Sequence, residues 1–261
     1  MKRKNKTQSS LLYEKQLFLF YMKKNILSVK FIICLILVLI PIFPIFDVFE
    51  YRIINNQRDL DLLIFWQGFI RPSNMLLMFS AVIIAADIVS GEFSNKSAMI
   101  IYATESRYKI LTIKSLTLII SMFILVLIYF SAFFIMVFIK TNLLVSIHVY
   151  VMGFLIVFIE VILYSSLTFM VSALTRSIAL SFIFPFFYIS ISPLLDGFEL
   201  GLLSFNSYTF RVINFFESLL YYETIDLNAI TIFCLIIFFG LSLLIILLTF
   251  YIFNQQDIRI D

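Results

Sequence analysis

The sequence predicts an all-α integral membrane protein with six transmembrane helices, an N-terminal interfacial amphipathic helix, and re-entrant or interfacial helices before the last span. Three observations lead there. Of 261 residues, 62% are hydrophobic and 13% are charged, with a mean hydropathy of +1.06. No soluble interior of that size hides so much apolar surface. The apolar residues fall into long runs, most of them near the roughly twenty residues that a hydrocarbon core requires. The basic residues, finally, collect on one side of those runs.

Lys2, Arg3, Lys4, Lys6, Lys15, Lys23, Lys24 and Lys30 crowd the N-terminus directly ahead of the first apolar run. That is the pattern of a cytoplasmic anchor, not of a nucleic-acid arm. Within residues 1–26, residues 1–8 read as a frayed basic tail. Residues 9–24 mix apolar and basic side chains at helical spacing and read as a helix lying in the cytoplasmic interface. A cleavable signal peptide fits poorly, because the apolar run continues past Pro41 and Pro44 without a small-x-small site.

The membrane domain covers residues 27–253. Its first span is residues 27–46, kinked or ended by Pro41 and Pro44. Residues 47–71 form a mixed-charge external segment, with Trp66 and Phe69 where an aromatic belt would place them. Pro72 suits the first turn of the second span, residues 72–89. The third span, residues 110–139, is about 45 Å long at the helical rise and must tilt or project. After an outer turn at Lys140-Thr141-Asn142 comes the fourth span, residues 146–174, and Thr175-Arg176-Ser177 makes a tight inner turn. The fifth span is residues 178–195. Residues 196–228 alternate acids with apolar clusters, and they read as one or two helices dipping into the outer interface. The sixth span is residues 227–253, followed by a cytoplasmic tail, 254–261.

Counting charge orients the bundle. Of the 19 basic residues, only Arg52, Arg58, Arg71, Lys140 and Arg211 fall outside, so both termini are expected in the cytoplasm of a multi-pass plasma-membrane protein.

Against that layout, residues 87–114 are the one long polar interval between apolar runs on the basic side. They contain a turn at Ser90-Gly91, then Phe93, Ala98, Ile101 and Tyr102 near helical spacing. Thr104-Glu105-Ser106 follows as a cap, and Arg107, Lys109 and Lys114 open the next helix at headgroup level. A short helix lying flat under the membrane accounts for this pattern; an ordinary polar loop accounts for it as well.

The order Asp87, Gly91, Glu92, Ser106, Arg107, Lys114 resembles the cytoplasmic loop of ABC-2 transporter permeases, and the hydropathy layout extends the resemblance over nearly the whole chain. Ala103-Thr104-Glu105 stands where many members carry a proline before the Ser-Arg pair. The resemblance implies a coupling loop at 90–109 that docks on separate ABC-type ATPase subunits, which bind ATP and Mg; this chain itself holds no cofactor. It implies a second permease subunit, identical or homologous, and a re-entrant pair before the last helix. Gly91, Glu92, Ser106, Arg107 and Lys109 are the candidate coupling residues, with Glu92, Arg107 and Lys109 as the expected ATPase contacts.

Inside the membrane, Glu160 lies near the middle of the fourth span, and Tyr164, one turn on, is placed to donate a hydrogen bond to it. A pathway or proton-relay residue and a hydrogen-bonded packing residue both fit. Asp87, at the inner end of the second span, is expected to pair with the basic residues around Arg107. Small residues at Ser80, Ala81, Ala85 and Ala86, and at Ser165, Ser166 and Ser172, permit close helix approach within a bundle or across a dimer seam. Cys34, Cys234 and the single His148 sit apart, so neither a disulfide framework nor a metal site is expected. No phosphate loop, nucleophile elbow or His-Glu-x-x-His motif occurs.

The expected function is therefore a non-enzymatic permease subunit of an ATP-driven exporter. Membrane lipids are its expected surroundings and nucleic acid is not an expected partner; an amphipathic peptide, a lipid-like molecule or a drug is the cargo that the resemblance implies. The alternatives are an ATPase-independent carrier, for which Glu160 is the lone intramembrane charge, and a membrane sensor or immunity protein.

Overall fold

A computed structural model describes residues 2–40, 42, 71–98, 101–102, 106–141, 147–197, 205–220 and 229–255. The helices are α1 (Lys2–Ile26), α2 (Val29–Leu39), α3 (Arg71–Ala85), α4 (Ser90–Ser94), α5 (Arg107–Thr141), α6 (Ile147–Thr175), α7 (Ile178–Gly197), α8 (Phe205–Leu220) and α9 (Ala229–Gln255), and no strand occurs among the described residues. Three stretches are long and apolar enough to cross a membrane: Arg107–Ile139, Ile147–Thr175 and Ile232–Gln255. Three shorter apolar helices, Val29–Leu39, Asn74–Ala85 and Ile178–Ser192, fall where the first, second and fifth spans are expected. These are the marks of an α-helical membrane protein.

The bundle is built around α6, which packs against α3, α5, α7, α8 and α9. Burial separates it from the other long helices: 56% of its apolar window lies inside, against 39% for α5 and 28% for α9. The sequence gives the reason. Ser165, Ser166, Thr168, Ser172 and Ala173 are all buried, and small side chains let neighbouring backbones approach. The hydroxyls do not need water to do so, because Ser165, Ser166 and Thr168 donate to the carbonyls of Ile162, Leu163 and Tyr164 in their own helix. The peripheral helices present the opposite surface. Phe184 and Phe187 on α7, and Ile236, Leu243 and Leu247 on α9, are exposed, as side chains solvated by lipid would be.

On the other side of α6, α3 is flanked by α2. The Cys34 thiol donates to the Ser80 carbonyl at 3.7 Å and the Ser80 hydroxyl to the Cys34 carbonyl at 3.5 Å. The small residues of the second and fourth expected spans are all buried inside this one bundle. At the periphery, α1 lies along α5, where the Asn25 amide donates to the Ser121 hydroxyl at 3.1 Å.

Several boundaries differ from the sequence expectation. The first helix begins at Lys2, so the segment expected as a frayed tail is helical; its Lys, Arg and Gln residues are good helix formers. The helix at the second expected span, α3, ends at Ala85 and residues 86–89 form a turn, so the break precedes Ser90-Gly91, which belongs to α4. At 35 residues, α5 is about 52 Å long and exceeds a hydrocarbon core of about 30 Å. Within 196–228, one 16-residue helix is described, α8. Pro41, Pro44, Trp66, Phe69, residues 103–105 and the tail beyond Gln255 lie outside the described residues, as does most of the segment 47–71.

Candidate functional site

The interval 86–114 is where the ends of several helices converge. Ending α3 at Ala85 leaves carbonyls without helical partners, and side chains from elsewhere in the chain satisfy them. The Ala86 carbonyl accepts from the Ser90 hydroxyl at 2.6 Å and from Ser172 of α6 at 3.0 Å. The Ser90 amide in turn donates to the Ser172 hydroxyl at 2.9 Å. The Ile88 carbonyl accepts from Lys114 Nζ of α5 at 2.8 Å, which places a cation at the negative end of a helix dipole. The backbone then re-forms a single turn as α4. At Gly91 a Cβ would stand 3.3 Å from Asp87 Cβ, so glycine is what lets α4 close against the turn.

The next residue, Glu92, is the centre of the site. It is 1% exposed. One carboxylate oxygen accepts from the Tyr21 hydroxyl of α1 at 2.6 Å, and the other meets Lys114 Nζ at 2.5 Å. Lys114 also lies within 3.4 Å of the Tyr102 hydroxyl and over the rings of Tyr21 and Tyr102, at 5.4 and 5.7 Å from their centroids. Burial first, and the Glu92 charge second, push the Tyr102 phenol far above its ordinary range, so it stays a neutral hydrogen-bonding group. Two tyrosines and a carboxylate therefore enclose one ammonium group.

Around this centre the interval is tied to the rest of the bundle. The ring of Phe93 stacks near Tyr102 at 6.0 Å, Phe253 of α9 meets Tyr102 at 5.3 Å, and the Arg176 guanidinium lies 5.0 Å from the Phe93 centroid. Asp87 pairs with Lys30 at the start of α2. On α5, Lys109 pairs with Glu14 of α1 at 3.3 Å, and Arg107 donates to the Asn254 carbonyl at 3.3 Å in the last turn of α9. Ser106 is exposed, and its carbonyl accepts the Ile110 amide at 3.2 Å as the helix begins.

Several sequence expectations change here. Asp87 pairs with Lys30, on a helix whose position relative to Asp87 the sequence does not reveal, and not with the basic group around Arg107. Lys114, expected at headgroup level, is turned inward with its side chain fully enclosed. Glu92 is likewise no surface residue: its place in a water-facing loop is overridden by the cation and phenol that cover it. Ser106 and Tyr108 are exposed and Arg107 and Lys109 are partly so. Tyr21, Lys30, Ser172, Arg176 and Phe253 were not among the candidates. The faint signals for them are a tyrosine among the lysines of α1 and a lysine just inside an apolar run.

A second polar cluster lies deep in the bundle. Glu160 of α6 is completely buried. Asn74 of α3 and Thr209 of α8 donate to its two carboxylate oxygens, one each. Its partners among the described residues are these two, not Tyr164, whose ring tilts against Tyr188 at 6.1 Å. A turn's spacing along α6 is less effective than a donor projecting from a facing helix. The Oδ1 atom of Asn74 is buried without a hydrogen-bond partner among the described residues. His148 is exposed in the first turn of α6.

A scan against models of known protein families finds no match to this chain, and a search of curated proteins finds none either.

Proposed function

We propose that the chain is the membrane subunit of an ATP-driven exporter of the ABC-2 type, with six spans and cytoplasmic termini. In this reading a pair of such subunits forms the path for an amphipathic peptide, lipid-like or drug cargo, and separate ABC-type ATPase subunits supply the energy. The residue order Asp87, Gly91, Glu92, Ser106, Arg107, Lys114 supports the family. The observation that carries the mechanism is the enclosure of Glu92 between Tyr21 and Lys114. A segment pressed from the cytoplasm transmits motion only if it cannot slip against the helices behind it. Through Glu92, Ser90, Asp87 and Phe93 this interval is held to α1, α5, α6, α2 and α9.

Roles divide accordingly. Arg107, Lys109 and the exposed Ser106 offer the surface for an ATPase subunit, and Glu92 acts behind that surface as the anchor. Gly91 keeps α4 close to the turn. Movement of the anchor reaches the long helix α5 directly at Lys114, and α5 extends across the membrane. The test is co-expression with a candidate ABC-type ATPase, preferably the product of a neighbouring gene. Co-purification and cargo-stimulated ATP hydrolysis in vesicles are expected, and Arg107→Glu should lower coupling. Failure of every candidate ATPase to bind would overturn the reading.

A second reading rests on Glu160. A buried carboxyl group held by donors from two other helices is an arrangement found along proton and ion paths. Under an ATPase-independent carrier, Glu160→Gln abolishes transport in vesicles that contain this chain alone. Under the exporter reading, the chain alone transports nothing.

A further inference from the structure

Between α1, α2, α5 and the turn that follows α3 lies a cavity of about 240 Å³. It is separate from the surface assigned above to the ATPase. Its walls carry three lysines, Lys24, Lys30 and Lys114, and one acid, Asp87. Two of these cations are already matched, Lys30 by Asp87 and Lys114 by Glu92. Lys24 is exposed and has no carboxylate partner among the described residues. The amino end of α2 also opens onto the cavity, at Ser28 and Lys30, and a helix N-terminus adds positive potential. The Ser28 hydroxyl is already used, donating to the Asn25 carbonyl and accepting from the Phe31 amide. The cavity therefore holds one cation in excess and a helix end, in a volume that fits a phosphate group.

We propose that this cavity binds a phosphate-type anion, either free phosphate or the headgroup of an anionic phospholipid. Lys24 is the primary charge contact, and Lys30 and the α2 terminus complete the site. The surroundings fit a lipid: Leu27 and Val29 flank Ser28 and are each 72% exposed, and Ile32 and Ile33 continue the same apolar surface along α2. An acyl chain leaving the cavity has that surface to lie against. Bound there, the anion bridges α1 and α2 beside the turn at 86–89.

The experiment uses the full chain purified in a neutral detergent. Its thermal unfolding midpoint is titrated with short-chain phosphatidylglycerol, with short-chain phosphatidylcholine as the zwitterionic control, and with inorganic phosphate. Each titration is repeated on Lys24→Gln and on Lys23→Gln, which removes the same charge from an exposed neighbour that does not line the cavity. The expected result is a saturable rise whose half-saturating concentration increases about fivefold or more in Lys24→Gln and is unchanged in Lys23→Gln. A response to phosphatidylglycerol but not to phosphate assigns the site to a lipid headgroup. A response to phosphate alone assigns it to the free anion, and a response to both supports the shared chemistry. Absence of saturation, an equal response to phosphatidylcholine, or equal effects of the two substitutions overturns the proposal.

Discussion

The Lys114 ammonium and a Glu92 carboxylate oxygen lie 2.5 Å apart, with 0% and 1% of the two side chains exposed. The pair joins α4 to the first third of α5, and both charges are buried inside the protein. Removing one member leaves the other buried and uncompensated, so Lys114→Met or Glu92→Gln alone should cost about 3–5 kcal/mol. The double variant should recover a substantial part of that loss. Thermal unfolding of the four proteins in detergent, treated as a double-mutant cycle, measures the coupling. Strict additivity of the two single effects would show that the pair is not formed.

Glu160 makes a different prediction, because its partners are neutral. Glu160→Leu removes the carboxylate that accepts from the buried Asn74 amide and Thr209 hydroxyl, at about 1–3 kcal/mol for each bond lost. Adding Asn74→Leu and Thr209→Val removes the two donors whose acceptor is gone from Glu160→Leu. The triple variant is therefore expected to unfold at a higher temperature than Glu160→Leu. If all three substitutions simply accumulate loss, the cluster is not the unit described.

Gly91 is tightly packed on the face toward Asp87. Gly91→Ala brings a Cβ to 3.3 Å from Asp87 Cβ and is expected to destabilise by about 1 kcal/mol or somewhat more as the turn shifts. Gly240, within α9, has no atom within 4 Å of where its Cβ would be, so Gly240→Ala should be neutral or stabilising. The contrast between two glycine-to-alanine changes in one protein is read from the unfolding midpoints.

Lys96 adopts φ = 55° and its side chain is exposed. That left-handed conformation costs an L-residue with a Cβ roughly 1–2 kcal/mol. Lys96→Gly should therefore stabilise the protein, and Lys96→Val should destabilise it.

The same exposed position tests orientation. Both native cysteines are buried, Cys34 at 0% and Cys234 at 2%, so Lys96→Cys provides a reactive thiol over a quiet background. A membrane-impermeant maleimide should reach it in inside-out vesicles and not in intact cells. Labelling from outside the cell would invert the bundle and remove the exporter proposal.

Much of the fold was legible in the chain because hydropathy and helical spacing are local properties. The boundaries of α6 and α9 fall within two residues of the spans expected at 146–174 and 227–253. The early end of α3 was less legible. Residues 86–89 contain no glycine or proline to end a helix, and the broken turn is held by outside donors, Ser172 and Lys114, which bond its carbonyls. The polar interval was recognised as a unit, but its Glu92 and Lys114 looked like surface charges. Nothing in the run Leu-Thr-Ile-Lys-Ser distinguishes a lysine that reaches water from one that reaches a carboxylate.

The amino-acid sequence by itself determined that this chain is solvated by lipid and folds as helices, because apolar composition and run length act on each segment alone. It also determined which segment stays polar. Only the tertiary structure decided which polar groups meet: Tyr21 and Glu92 are separated by 71 positions and Asn74 and Glu160 by 86. The cost of a buried charge depends on what surrounds it in space, and neighbours in space are set by how the helices pack.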